Sequence, residues 1–408
     1  MAASNQRPIL IIGAGVTGLV LGCVLARHGA RIRIIDKLSE IRPHARAVGI
    51  HSRTLEIFQD LGIVDTIVKK SELANAISQV VEGQEVLRAP YNDVDGPFPF
   101  MAVLEQWKTE SVLEAKLAEL GVAIERETEL VAVEERLDGV RATLRRPDDA
   151  SEVVDTPWLI GCDGAHSCVR HFNHQHFPGE SDHRRYSAAD VKADAPYARD
   201  VVYFFICEAG FIGWASLPEG RSFIWGNIDE STDRNVADPT LADVQALLEE
   251  RSPQKAVVSD PRWISWYWTN YRLTPHYRHG RTILAGDAAH IHSSVGAQGM
   301  NTGIQDAYNL GWKLALVSQG RAPESLLDSY DKERRAIAGD VLATTRSLTE
   351  RMTSFGNFAE ADRDRLYRDA HVPEADRLKA AQHTAELDLD YRKSPISVEH
   401  WHDAHAPG

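Results

Sequence analysis

Three glycine-rich strings carry residue types suited to holding phosphates, sugar hydroxyls and a redox ring. In Gly13-Ala14-Gly15-Val16-Thr17-Gly18, Gly13 permits a tight turn, Gly15 lets the backbone approach a pyrophosphate, and Gly18 lets a helix pack closely on the preceding strand. The helix start then directs N–H groups and partial positive charge at the phosphates. Asp36 closes the next apolar run, where a carboxylate accepts hydrogen bonds from both ribose hydroxyls of a dinucleotide. The second string, Leu159 to Arg170, is an apolar strand ending in the turn Asp163-Gly164 and a basic helix start. The third joins Thr282 to His290, with Asp287 at a strand end, to the glycine-rich run Gly296 to Gly303. Asp287 is suited to a ribityl or ribose hydroxyl, and a helix start at Gly299 to Gly303 to negative charge on a flavin pyrimidine ring. The first string by itself does not separate NAD from FAD.

Regular elements must hold these strings in place. Pro8 to Ile12 is an all-apolar run suited to a strand buried on both faces of a parallel sheet. A helix from about Thr17 to His28 and a strand over Arg31 to Asp36 complete a βαβ unit. Helices are expected over Ser52 to Leu61, closed by Gly62, and over Thr109 to Glu119. Leu130 to Glu135, Val140 to Leu144 and Val153 to Ile160 read as an antiparallel meander, with Leu137-Asp138-Gly139 at one turn. From about His183 to Arg278 aromatic residues gather, including Tyr203, Phe204, Phe205, Trp214, Phe223, Trp225, Trp263 and Tyr267, which reads as a sheet whose bulky face is able to line a pocket, although any single one of these rings is more often part of a core. Arg281 to Asp287 returns to a buried strand, a helix runs from the third string to about Val317, and Glu324 to Glu386 is rich in helix formers.

At 408 residues the chain has material for two packed units and an appendage. A hydrophobic share of 43% with 25% charged residues is that of a soluble globular protein, and the net charge of -14 argues against a nucleic-acid phosphate backbone as partner. Cys23, Cys162, Cys168 and Cys207 have no metal-site spacing, so no metal is expected, and a reduced, cytoplasmic setting is. The N-terminus lacks the features of a signal peptide. Glycines interrupt the apolar run Ile9 to Leu25, which reads as strand, turn and helix rather than a membrane span.

Taken together and in this order, the strings resemble the FAD-dependent aromatic hydroxylases, single-component flavoprotein monooxygenases of the para-hydroxybenzoate hydroxylase fold, in a polyketide and phenol hydroxylase-like branch. The match is strongest over Gly13 to Asp36, Arg46 to Gly62, Gly161 to Arg170 and Gly286 to Lys313. The resemblance implies an α/β fold in which a β-sheet substrate domain (73–97 and 181–277) is inserted into a Rossmann-like FAD-binding domain (1–72, 98–180 and 278–345), followed by C-terminal helices (346–408). It implies that Gly13, Gly15, Gly18 and Asp36 hold the adenosine half of FAD, and that Arg46 and Gln106 lie beside the cofactor. Asp163 and Gly164 fall in a motif tied to both FAD and NAD(P)H, and Asp287, Gly299, Met300 and Asn301 match contacts to the ribityl chain and flavin ring. The implied chemistry is hydride transfer from NAD(P)H to FAD, reaction with O2 to a flavin C4a-hydroperoxide, and hydroxylation of an aromatic substrate. No second G-x-G-x-x-G unit is present, so NAD(P)H is expected to visit as a co-substrate. The aromatic-rich middle suggests a polycyclic, phenol-like or indole-like small molecule.

Three departures stand out. Ser293-Ser294-Val295-Gly296-Ala297-Gln298-Gly299 replaces the usual Pro-Pro-Ala-Gly-Gly-Gln-Gly, which is expected to loosen the loop beside the flavin. Val48 stands where the phenol hydroxylase branch has an acid, and with the residues ending at Gly408 the thioredoxin-like domain of many relatives is not expected here. No general base is assigned: His51, Tyr203, Tyr267 and His292 qualify by type alone. Two alternatives stand beside hydroxylation: a flavin-dependent halogenase, from Trp266-Tyr267-Trp268, and an FAD-binding protein without oxygenase turnover.

Overall fold

Leu10 and Ile11 are wholly buried and Ile9 and Ile12 nearly so, as a strand with neighbours on both edges and helices on its faces requires. The computed structural model describes residues 7–230, 236–353, 379 and 381–397. The elements that build the first layer are β1 (Ile9–Ile12), α1 (Val16–Arg27), β2 (Ile32–Ile35), α2 (Gln106–Glu119), β3 (Leu159–Gly161), β4 (Thr282–Leu284), α3 (Gln298–Ser318) and α4 (Leu326–Thr353). β1 pairs in parallel with β2 on one side and β3 on the other, and β3 pairs in parallel with β4. Ile124–Glu125 and Arg278–His279 complete a six-stranded sheet at its two edges. The three strings therefore leave neighbouring parallel strands, β1, β3 and β4, at the same sheet edge, where ligand sites of open α/β sheets form.

α1 is apolar nearly all round because it is covered nearly all round. A Cβ on Gly22 would stand 3.2 Å from Leu117 of α2, and one on Gly311 of α3 would stand 2.5 Å from Val24. These two glycines let three helices close over the sheet without a gap.

The expected run Val153 to Ile160 is two strands in different sheets. Ser151–Thr156 pairs antiparallel with Gly139–Arg145, which pairs with Glu129–Arg136, whereas Leu159–Gly161 belongs to the parallel sheet. Pro157 divides them because it has no N–H to give a ladder. The expected strand Arg281 to Asp287 likewise ends at Leu284, and Gly286–Ala288 is a single tight helical turn. The helix at Thr109 starts three residues earlier, at Gln106.

The second layer is an eight-stranded sheet ordered His290–Ile291, Val257–Leu273, Gly179–Asp194, Arg221–Glu230, Gly210–Leu217, Val201–Cys207, Ala76–Val81 and Gln84–Pro90. Its aromatics divide between two faces, where the sequence suggested one bulky face. Tyr203, Phe205 and Trp214 pack with Tyr197 and the helix Leu241–Arg251 in one core, while Phe204, Phe211, Phe223, Trp225, Trp263 and Tyr267 join Val48, Met101, Val295 and Met352 in another. The period-2 pleat forces that division, since neighbours such as Phe204 and Phe205 must point opposite ways. Of the expected C-terminal helical segment, α4 continues to Thr353, and 354–378, 380 and 398–408 lie outside the described residues. Among the described residues no helix is long and apolar enough to cross a membrane. They include no group of three or more His, Cys, Asp or Glu set to hold a metal ion.

Candidate cofactor and substrate site

The three strings meet where side chains are missing. A Cβ on Gly13, whose φ is +98°, would lie 2.4 Å from the Cys162 carbonyl oxygen. On Gly18 it would lie 2.0 Å from the Gly13 carbonyl oxygen, and Cβ atoms on Gly286 or Gly303 would each lie 2.6 Å from the Thr17 hydroxyl. The first string is thus wedged between the second and the third. Gly15 differs: its Cβ would meet only a Glu110 carboxylate oxygen, at 3.9 Å. No protein atom crowds that position, so the backbone at Gly15 faces open room.

Two helix starts open on this space without side-chain caps. α1 begins at Gly15 and α3 at Ala297, neither has a capping side chain, and neither carries an acid in its first turn. Their leading N–H groups keep hydrogen-bonding capacity and positive potential for an anionic or electron-rich group. Gly296 (φ +87°) and Ala297 (φ +54°) are consecutive left-handed residues, and the Ala297 N–H closes this turn on the Ser294 carbonyl at 3.1 Å. Around the space stands a mixed set of charges. Asp36 is half-buried, with one carboxylate oxygen accepting from the Ala14 N–H at 2.7 Å and the other from the Leu38 N–H at 2.8 Å. It braces the turn at Ala14 against the chain at Leu38. Burial pushes the Glu110 carboxyl up, with the Asp36 charge adding to it and Arg46 opposing. Asp287 is accessible to solvent, yet the protein crowded around it pushes its carboxyl up, again against Arg46. The field of Arg46 thus reaches both carboxylates across the cleft.

Gln106 donates to Glu110 at 2.8 Å, one turn along α2, and its backbone N–H donates to the Ala47 carbonyl at 3.0 Å. Glu110 went unremarked in the sequence, although the i, i+4 spacing from Gln106 places both on one helix face. Asp163 caps the short helix Cys168–Phe172: one oxygen accepts from Cys168 and Val169 N–H at 2.7 and 3.2 Å, and the other is buried with no partner. Gly164 adopts φ +78°, and a Cβ there would meet no atom within 4 Å, so it lies open beside that carboxylate. Arg170 ties the second string to the third by donating to the Ala288 and Ala165 carbonyls, each at 2.8 Å.

At the third string, Asn301 is fully buried: it donates to the Gly49 and Ala297 carbonyls and accepts from the His51 N–H at 3.1 Å. Its visible work is to lock the start of α3 to the strand Gly49–Ile50. Met300 is partly buried against the first core, and a Cβ on Gly299 would stand 3.7 Å from His292. His292 uses Nδ1 on the Ser293 carbonyl, leaves a buried Nε2 unpartnered, and is pushed down to about 4 by burial, so it is neutral at pH 7. His51 is likewise pushed down to about 4 by burial and is held between Tyr91 and the Gly296 carbonyl. Both act as neutral fixtures rather than cations. The turn carrying Asp287 rests on a residue that no sequence motif marked, Asp306 of α3. It accepts from the Gly286 N–H and His290 Nε2 on one oxygen and from Arg334 Nε, at 2.7 Å, on the other, all fully buried.

The loop with two serines is pinned, not loosened. Ser293 is buried, accepts from the Val295 N–H and bonds Thr349 of α4 at 2.8 Å, while Ser294 points outward to Tyr267 at 2.9 Å. Side-chain hydrogen bonds supply the restraint that proline rings supply elsewhere. In the core that Val295 shares with the aromatic side of the eight-stranded sheet, Trp225 lies flat over Gly213, with Phe223 stacked on it at 5.3 Å and Phe204 edge-on at 5.5 Å. Trp266, read as part of a halogenase signature, turns to the other side of its strand, where Arg185 covers its ring and its indole N–H donates to Ala237.

A groove with an open glycine, two uncapped helix starts and unpartnered buried polar atoms on Asp163, His292 and Gln298 fits an extended dinucleotide with a flat ring at the α3 end. Comparison with known proteins agrees. A family model described as FAD binding domain matches residues 6–345. The chain is 36% identical over 345 residues to 6-methylpretetramide 4-monooxygenase of Streptomyces rimosus, covering 84% of this chain and 61% of that one. It is 37% identical over 368 residues to a flavin-dependent monooxygenase of Mycobacteroides abscessus, covering 86% and 75%. The solved anhydrotetracycline hydroxylase of Streptomyces rimosus superposes with a TM-score of 0.80 at 31% identity, over 97% of this chain and 78% of that one. The chain therefore spans between about three-fifths and four-fifths of these relatives. By motif, fold and relatedness, the chain belongs to the FAD-dependent aromatic monooxygenases.

Proposed function

We propose that this protein hydroxylates a multi-ring or phenol-like aromatic small molecule, consuming O2 and NAD(P)H. The observation that carries the reading is the aromatic cluster of Phe204, Phe223 and Trp225, which shares one core with Val295 of the loop leading into α3 and gives that end of the site an apolar, aromatic surrounding suited to a flat ring. Bound FAD would supply two-electron reduction by nicotinamide and activation of dioxygen. The chain's own residues divide the remaining work. The first turn of α1 and the open Gly15 take the pyrophosphate, with Gly13 and Gly18 closing the turn beneath it. Asp36 takes ribose hydroxyls, and Asp163, Gly164 and Asp287 line the path to the ring. Arg46 and Gln106 flank the ring, and Gly299, Met300 and Asn301 form or fix the helix start that favours negative charge on it. The apolar wall orients the substrate ring and excludes water. This reading divides the chain into a FAD-binding part (1–72, 98–180 and 278–345), a substrate part (73–97 and 181–277) and a C-terminal segment (346–408). The eight-stranded sheet, drawn mainly from 76–90 and 179–273, supports that division.

The test is aerobic oxidation of NADH and NADPH by the FAD-loaded protein across single-ring and multi-ring phenols, with labelled dioxygen. A multi-ring phenol is expected to accelerate oxidation several-fold and to gain one labelled oxygen atom. Acceleration by simple phenols alone would overturn the multi-ring assignment. Oxidation that no aromatic affects would point to a flavin-binding protein without turnover.

A further inference from the structure

Tyr267 and Ser294 form a hydroxyl pair at the seam between the two layers of the site. Tyr267 lies on the strand Val257–Leu273 and Ser294 on the loop that runs into α3, and their oxygens are 2.9 Å apart. The Tyr267 ring is fixed: it stacks on Tyr186 at 5.3 Å with planes 23° apart, and Tyr186 is held in turn by donating to Asp182 at 2.7 Å. Ser294 is fixed from both sides, because Ser293 and Val295 are buried and face inward. The pair is reached from the Ser294 side, where the serine is exposed while Tyr267 is half-buried. Tyr267 keeps only part of its surface in solvent, and the protein crowded around its hydroxyl pushes it up to about 12, so it stays protonated and can donate but not act as a base. A rigid, accessible pair of neutral hydroxyls offers one donor and free lone pairs after their mutual bond, which suits a phenolic hydroxyl or a ring carbonyl.

We propose that Tyr267 and Ser294 anchor an oxygen substituent of the aromatic substrate and so fix which ring carbon is presented toward the α3 end of the site. This rests on the aromatic-substrate reading above and narrows it to oxygenated rings. The pair is a positioning device, one polar point on an otherwise apolar wall, and it sets specificity by rejecting rings that leave it unsatisfied.

The experiment titrates FAD-loaded protein with 1-naphthol and with 1-methylnaphthalene, which is similar in size but lacks the hydroxyl, reading tryptophan fluorescence. The native protein is expected to prefer 1-naphthol by about fivefold to tenfold, the span of one neutral hydrogen bond. Tyr267→Phe and Ser294→Ala should each bring the ratio near one by weakening 1-naphthol alone, and Ser294→Thr should keep it. Tyr203→Phe, on the opposite face of the sheet, should leave the ratio as it is. Retention of the preference in both hydroxyl deletions, or equal weakening of both ligands, would overturn the proposal. Equal binding of the two ligands by the native protein would overturn the anchor while leaving the aromatic reading intact. Binding of neither would overturn both.

Discussion

At the scale of single residues, the glycines of the first string serve two separable purposes. Gly13 and Gly18 have backbone atoms 2.4 and 2.0 Å from where a Cβ would go, whereas Gly15 has only a carboxylate oxygen at 3.9 Å. Gly13→Ala and Gly18→Ala should therefore unfold the apoprotein more readily, by roughly 2–4 kcal/mol. Gly15→Ala should leave apoprotein melting unchanged and weaken FAD retention, because the methyl group would occupy cofactor space. Thermal melts of apoprotein alongside FAD binding by flavin fluorescence separate the two. A Gly15→Ala protein that melts early, or that holds FAD as tightly as the native one, would contradict the assignment. These roles were legible in the string because spacing reports backbone demands. That of Ser294 was not, since a serine's partner depends on which strand lies opposite.

At the scale of elements, the site depends on how α3 and α4 hold the turn at Gly286. Asp306 of α3 is fully buried between Gly286, His290 and Arg334 of α4, and although burial opposes its charge, Arg334 and His290 hold its carboxyl below the usual range. Removing one partner of such a cluster strands the other, so Asp306→Asn should cost about 3–5 kcal/mol in urea unfolding. The double variant Asp306→Asn, Arg334→Met should recover part of that loss. A single variant as stable as the native protein would show that the cluster does not bear the turn. The sequence placed the helix correctly from its period, but a lone Asp in a helix is usually solvated. Only the packing of a second helix against it makes it a brace. Likewise Val153 to Ile160 reads as one stretch in the sequence, whereas the chain breaks at Pro157 and passes to a different sheet, an outcome that strand pairing decides.

At the scale of the whole molecule, two buried groups tilt stability with pH in opposite directions. His51 is pushed down to about 4, so between about pH 6.5 and 4 the unfolded chain takes a proton that the folded one refuses. Its contribution is present above that window and is lost as pH falls, by roughly 3 kcal/mol. Glu386 is pushed up to about 8 by burial, and it accepts from Gln305 of α3. The folded chain there holds a proton that the unfolded chain has released, so stability declines as pH rises from the ordinary Glu range through about 8. Glu386→Gln should flatten the alkaline decline in melting temperature between about pH 6 and 9 while leaving the acid side unchanged. An identical alkaline slope in the variant would rule Glu386 out as its source.

The sequence by itself determined the three glycine-rich strings, the family they resemble together with its cofactor class, and the order of the βαβ elements. Glycine spacing, apolar runs and strand-end acids answer to local backbone geometry, which any chain carrying them must satisfy. Tertiary structure alone decided which aromatics share a core with the loop before α3, that Asp306 braces the turn at Gly286 and Glu110 joins Gln106, and that Ser293 and Ser294 find partners on other elements. Each depends on what a neighbouring element brings within about 3 to 4 Å, a distance set by packing across hundreds of residues and not by any local pattern.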